Sequence, residues 1–276
     1  MTADRPPRVL VTNDDGVHAP GIRALARVAY ERGLDVVVAA PRHEASGMSA
    51  ALSAVTDDGR LVFGETELDG LPGVPAYAVA ASPAYIAILA GLGVFGPVPD
   101  LLLSGINRGA NAGHAVLHSG TVGAALTAGN NGIRALAVSL DVLTPAAASA
   151  GSGGAAIAVL DTVDDESRHW STAAELAGRL LPWLAGADPG TVLNLNVPDL
   201  PADQVAGLRQ ATLAPFGQVQ VSVAERGEGF VRTAVEENAV RAVPGTDIAW
   251  LADGYAAVTA IRALGHLPDV ELPVDG

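Results

Sequence analysis

The chain of 276 residues contains no lysine and no cysteine. Without lysine there is no P-loop lysine, no other Lys-based phosphate clamp and no Schiff-base chemistry. Without cysteine, disulfides, thiolate zinc sites and Cys nucleophiles are excluded. Aromatic residues make up only 4% of the chain, so a core must be built from Val, Leu, Ile and Ala, which the 49% hydrophobic content allows. Positive charge is scarce as well: 16 basic residues against 30 acidic ones give a net charge of −14. That balance argues against nonspecific binding of nucleic acid or an anionic membrane, which needs clustered cationic side chains. A small anionic substrate remains open if a metal ion or helix N-termini supply local positive potential. No run of about 18 uncharged apolar residues is present, and the N-terminal MTADRPPR lacks the apolar centre of a signal peptide. These features predict a soluble cytoplasmic protein with one main domain plus an extension.

Short apolar runs alternate with helical patterns. Arg8–Thr12 and Asp35–Ala40 read as buried strands, followed by Tyr77–Val79, Asp100–Ser104 and Ala135–Leu140. Between them, Ile22, Leu25, Ala26 and Ala29 repeat at helical spacing, and Pro83–Leu92 and Thr121–Gly129 also read as helices. This alternation predicts an α/β fold, a Rossmann-like parallel sheet covered by helices on both faces. Ligands of such sheets bind at the carboxyl ends of the strands. Ser171–Leu184 is a further helix and Val192–Val197 a further strand, while residues 143–157 are low in complexity. Gln218–Val223 and Phe230–Val235 alternate around a Gly-containing turn, which predicts a β-hairpin, and Tyr255–Ile261 a last strand. We expect a catalytic core over residues 1–205, with an insertion at 143–168, and a C-terminal extension over 206–276.

Polar clusters follow three of these strands. The first is Asn13-Asp14-Asp15-Gly16. Adjacent strand residues face opposite ways, so two aspartates serve one site only if the chain turns at once, as Gly16 permits. If they converge, their repulsion calls for a cation; otherwise they are a helix cap beside a solvated neighbour. The second cluster, Pro41–Ser49, offers Arg42, His43, Glu44, Ser46 and Ser49. The third, Ser104–Thr121, runs SGINRGANAGHAVLHSGT, and its last four residues open a helix. Backbone N–H groups at a helix N-terminus bind phosphate, and Ser and Thr hydroxyls add donors.

N-D-D-G after the first strand, S-G-x-N-x-G after a later one and H-S-G-T-V before a helix together resemble the SurE family of survival-protein nucleotidases. The resemblance runs from Arg8 to about Leu140 and continues through Asn194–Pro198, Thr246-Asp247 and Gly254-Tyr255. It implies a Rossmann-like three-layer core with a C-terminal extension exchanged between subunits. It also implies a metal-dependent phosphatase of nucleoside monophosphates. Carried over residue by residue, the implied metal ligands are Asp14, Asp15, Ser46 and Asn107. An all-oxygen set favours one hard divalent cation per subunit, Mg²⁺ or Mn²⁺, over Zn²⁺. Such an ion activates a water for attack on a phosphomonoester. Asn107 and the groups around Ser119, Gly120 and Thr121 would hold the phosphate, and Asn111 would stabilise developing charge. His118 is either the general acid for the leaving group or a structural histidine holding the loop.

The sequence departs from the family pattern in places. Where the family carries G-T-P-A-D-C, this chain has Ala81-Ser82-Pro83-Ala84-Tyr85-Ile86, so Tyr85 replaces an acid near the site. Gly91–Gly96 matches G-x-G-x-x-G, but it follows a helix and runs into Pro97, whereas a dinucleotide fingerprint follows a strand and opens a helix. It therefore predicts a helix end, and an NAD-dependent oxidoreductase is the rival reading resting on it alone. The other rival is a nucleotide-binding regulator of the same fold without turnover. The hairpin would leave open edges in a monomer, so we expect a homodimer or homotetramer and a small-molecule phosphate as the other partner.

Overall fold

The structure, a computed structural model, describes residues 5–44, 49–58, 60–143, 164–216, 219–237 and 243–262. Ser46, residues 144–163 of the expected insertion at 143–168, and Gln218 lie outside the described residues. The first strands are β1 (Arg8–Thr12) and β2 (Asp35–Pro41), then a two-residue pair, β3 (Thr56–Asp57) and β4 (Arg60–Leu61). Next come β5 (Phe63–Thr66), β6 (Ala76–Val79), β7 (Leu101–Arg108) and β8 (Arg134–Asp141). The last are β9 (Val192–Pro198), β10 (Leu208–Gln210), β11 (Val219–Gly227), β12 (Phe230–Glu237) and β13 (Ala256–Ile261). The helices are α1 (Pro20–Glu31), α2 (Pro83–Gly91), α3 (Gly120–Asn130), α4 (Trp170–Gly186) and α5 (Asp247–Ala252).

Nine strands share one sheet in the order β10-β13-β9-β8-β7-β1-β2-β6-β5. From β9 across to β6 every pairing is parallel; β5 and β13 join antiparallel at either side. The sheet is covered on both faces, and that is why its strands read as continuous apolar runs. In β1, Val9 and Val11 enter the core shared with α1 and α4, while Leu10 enters the one shared with α2 and α3. In β7, Leu101 and Leu103 face the first core and Leu102 the second. All six side chains are fully buried, each contributing about 1.5–3 kcal/mol of hydrophobic stabilisation. The fold is thus the Rossmann-like α/β sandwich expected from the alternation.

The chain leaves β1 towards β2 and β6, then returns to place β7 on the other side of β1. The strand order reverses between β1 and β7, and in sheets of this kind the crevice that binds ligands lies at such a reversal, at the carboxyl ends of the strands. β10 and β13, from the segment after residue 205, extend the same sheet, whereas among the described residues β11 and β12 pair only with each other. The G-x-G-x-x-G stretch is a helix end, as its context predicts: α2 stops at Gly91 and Arg8 Nη2 donates to Phe95 O at 3.1 Å.

β5, β10 and α5 escape the sequence reading. β5 is an edge strand with an exposed Phe63, β10 has three residues, and α5, with six, is too short to show a helical period. Among the described residues no helix is long and apolar enough to cross a membrane.

Candidate active site

β1 ends at Thr12, and the next four residues turn back on themselves. Asn13 Nδ2 donates to Gly16 O at 2.9 Å, and Gly16 takes a φ of 102° that side-chain-bearing residues avoid. Val17 N donates to Pro41 O at 2.9 Å, pinning the turn to the end of β2. Both carboxylates therefore reach the β1/β7 crevice. Asp14 is buried and accepts from the Thr121 hydroxyl and backbone N–H of α3. Asp15 is half-buried and accepts from the Arg108 backbone N–H at the end of β7.

Asn107 comes from the other side of the crevice. Its Nδ2 donates to Gly109 O at 2.8 Å, which leaves Oδ1 3.2 Å from Thr121 Oγ1. Thr121 has a single hydroxyl hydrogen, and the shorter contact to Asp14 Oδ1 takes it. The Asn107 oxygen thus lies beside the Asp14 carboxylate without a full donor of its own. α3 begins against this group: a Cβ at Gly120 would sit 2.7 Å from Asp14 Oδ2. Only glycine lets the helix N-terminus come so close to the carboxylate.

The electrostatics are unfavourable as they stand. Burial pushes the Asp14 carboxyl above the usual carboxylate range, opposed by the Thr121 hydrogen bond. Burial, and then the charge of Asp14, push Asp15 up to about 7, while the Arg108 N–H pulls the other way. Among the described residues neither carboxylate makes an ion pair. Nor do three His, Asp or Glu side chains gather there. Two carboxylates and one amide oxygen, with the Thr121 hydroxyl between Asp14 and Asn107, form an oxygen-only donor set that fits a hard divalent cation.

The remaining expected residues fall in different places. Ser119 caps α3, its Oγ accepting from Val122 N at 3.0 Å, so its hydroxyl hydrogen stays available. Gly120 N–H is an orphan donor of the first helical turn. Thr121, expected to donate to phosphate, spends both its hydroxyl and its N–H on Asp14 and so acts as the holder of that carboxylate. Asn111 Nδ2 donates to Ser139 Oγ at 2.9 Å. His118 is exposed at the end of a 3₁₀ turn, Gly113–His118, so it is not a buried brace of the loop. Ser46 lies outside the described residues. Tyr85 is half-buried against the apolar cluster under α2 and α3. A cavity of about 410 Å³ opens at the ends of β2 and β6, lined by Pro41, Arg42, His43, Val55, Val79 and Ser82.

Sequence reasoning missed what braces this loop. Asn196 accepts from Asn111 N at 2.8 Å and donates to Asn111 O at 3.1 Å, and Asn194 donates to the same oxygen at 2.8 Å. Asn194 and Asn196 alternate with Leu193, Leu195 and Val197 on a fully buried strand. Two amides on one face of such a strand are the signal that marks them, because buried polar groups need partners. Further out, Arg108 Nε lies 3.1 Å from Asp165 Oδ1, which also accepts from Arg168 Nε at 2.9 Å. Arg168 in turn reaches Asp199 at 3.1 Å, so the start of α4 is tied to the crevice rim.

The chain was compared with known proteins. The family model described as "Survival protein SurE" matches residues 9–219. The 5'/3'-nucleotidase SurE of Escherichia coli O127:H6 is 35% identical over 261 residues, covering 92% of this chain and 90% of that protein. The 5'/3'-nucleotidase SurE of Shigella dysenteriae serotype 1 is similar to the same extent. Among solved structures, the SurE protein from Aquifex aeolicus superposes with a TM-score of 0.70 at 26% identity, covering 93% of each chain.

Proposed function

The chain belongs to the SurE family, and from that premise we propose that it is a divalent-metal-dependent phosphomonoesterase of nucleoside monophosphates or nucleotide-like phosphates. The observation that carries the reading is the meeting of Asp14, Thr121 and Asn107 oxygens at the strand-order reversal, with Asp15 and the start of α3 beside them. Asp14, Asp15 and Asn107 would hold the cation, with Ser46 as the fourth ligand that the family resemblance implies. The chemistry supplied by a bound Mg²⁺ or Mn²⁺ is polarisation of a phosphoryl oxygen and a lowered pKa for water.

The chain's own groups do the rest. Gly120 N–H and the Ser119 hydroxyl point a pair of donors at the phosphate from a helix N-terminus, where the helix dipole favours negative charge. Thr121 favours the charged form of Asp14 by donating two hydrogen bonds to it, against the effect of burial. Asn111, tethered through Asn196 and with its Nδ2 on Ser139, would have one further amide N–H for developing charge. His118 is exposed and free to deliver a proton to the leaving oxygen. The cavity beside Arg42 and His43 receives the leaving group, and Ser82, the cap of α2, lines it.

The test is hydrolysis of p-nitrophenyl phosphate and of a panel of nucleoside 5'- and 3'-monophosphates with Mn²⁺ or Mg²⁺, with and without EDTA. Metal-dependent phosphate release that Asp14→Asn abolishes supports the reading. Nucleotide binding without release would point instead to a regulator. Best turnover on AMP or GMP would argue against a specialised substrate.

A further inference from the structure

Asp247 is fully buried, yet no step above uses it. It is the first residue of α5, whose cap is Thr246. Its carboxylate accepts three backbone N–H groups: Ile248 and Ala214 at 2.9 Å on Oδ1, and Gly113 at 2.7 Å on Oδ2. The bond to Ile248 is ordinary helix-start chemistry. The other two join chain segments far apart in sequence. Gly113 opens the 3₁₀ turn that ends at His118 and delivers Ser119 and Gly120. At Gly113 a Cβ would lie 1.8 Å from Phe216 O, so the turn rests directly on the chain that Asp247 also holds through Ala214. Two residues earlier, Asn111 is clamped by Asn196. The loop between β7 and α3 is thus held on one side by β9 and on the other by a buried carboxylate. Burying a carboxylate is costly unless its lone pairs are filled, and a simple cap needs only one bond.

We propose that Asp247 is a positioning residue for phosphoryl transfer: by accepting Gly113 N–H it fixes the turn that presents Ser119 and Gly120 to the substrate phosphate. The catalytic half of this rests on the phosphomonoesterase reading; the structural half does not.

The test compares full-length Asp247→Asn with Thr246→Ala. Thr246 caps the same helix, but its side chain hydrogen-bonds neither Gly113 nor Ala214. Three quantities are read: amide hydrogen exchange of a peptide spanning 112–120, kcat and KM on p-nitrophenyl phosphate with Mn²⁺, and Mn²⁺ affinity. Asp247→Asn puts an NH₂ group against backbone donors. It is expected to lose protection over 112–120 and to lower kcat/KM about 10- to 100-fold, the scale set by an ångström of misplacement. Its Mn²⁺ affinity should stay within about threefold, because Thr121, which holds Asp14, sits within α3 beyond the turn. Thr246→Ala is expected to lower the Tm while keeping both the protection and the kcat. If the two variants match in exchange and in kcat/KM at similar Tm, the role is structural only and the proposal fails. Should Asp247→Asn not melt cooperatively, Asp247→Glu takes its place with the same criteria. If the wild-type protein releases no phosphate, the functional reading falls, and unchanged exchange over 112–120 would separately overturn the positioning claim.

Discussion

Thr121 donates its hydroxyl hydrogen to Asp14 Oδ1 while its oxygen stands 3.2 Å from Asn107 Oδ1. One side chain on α3 therefore sets the spacing between a carboxylate from β1 and an amide from β7. Thr121→Val keeps the volume and removes the hydroxyl. A hydrogen bond to a charged group contributes about 1.5–3 kcal/mol. Mn²⁺ affinity should fall about 10- to 100-fold, and Thr121→Ser should restore most of it. Isothermal titration of the metal-free protein checks this; an affinity within twofold of wild type would show that Thr121 does not shape the ligand set.

Gly120 offers a steric test of the same spot. A methyl group there would lie 2.7 Å from Asp14 Oδ2 and 3.1 Å from Asp14 Cβ, so the carboxylate or the helix must shift. Displacements of this size cost about a hundredfold in rate where geometry matters. Gly120→Ala is expected to lose activity on that scale while remaining folded. Gly186→Ala, at the end of α4 with nothing within 4 Å of a new Cβ, should leave the rate alone. Equal activities in the two variants would remove α3 from the site.

Much of this arrangement is legible in the sequence, for a physical reason. Asp14 and Asp15 follow a buried strand and Asn107 lies in the last residues of another, which runs on to Arg108 past the expected end at Ser104, and a parallel sheet gathers its strand ends on one edge. The same logic locates Ser119 and Gly120 at a helix N-terminus. What it cannot supply is which donor meets which acceptor. Thr121 at the start of a helix reads as a phosphate donor; only its approach to Asp14, 107 residues away in the chain, turns it into a carboxylate holder. The roles of Asp247 and Asn196, residues that the family resemblance includes, are hidden for a related reason. Their partners are backbone groups of a loop 134 and 85 residues distant, and backbone groups carry no sequence signature. β5 and β10 escape because short edge strands bury too little to show a period.

Asp15 links metal binding to pH. Its pKa is raised from 3.8 to about 7 in the metal-free fold, chiefly by burial and then by Asp14. The folded state thus binds a proton more tightly than the unfolded chain, and stability falls as pH rises between those two values. Metal-free protein in EDTA should melt at a higher temperature at pH 6 than at pH 8. A divalent cation must displace the proton, so its affinity should drop about tenfold for each pH unit below 7. The Tm gain on adding Mn²⁺ should be larger at pH 8 than at pH 6. Asp15→Asn should flatten both trends; a variant that keeps the wild-type pH dependence would assign the proton elsewhere.

The β11–β12 hairpin supplies the last prediction. Its strands pair with each other and with no other described strand, so each has one edge that no described strand covers. Val223, Phe230 and Val231 on it are each more than half exposed, at 53%, 53% and 55%. An isolated two-stranded hairpin is marginally stable in water, and open apolar edges invite pairing with another chain. We predict that this partner is a second copy of this chain, since each copy would bring the same edge and the same exposed apolar side chains to the contact. Replacing residues 219–237 by a short Gly-Ser linker should convert a dimer or tetramer into a monomer by light scattering after size exclusion. The crevice between β1 and β7 is built without the hairpin, so metal binding by the shortened chain should persist. A shortened chain that keeps the full-length mass would show that the subunits meet through another surface.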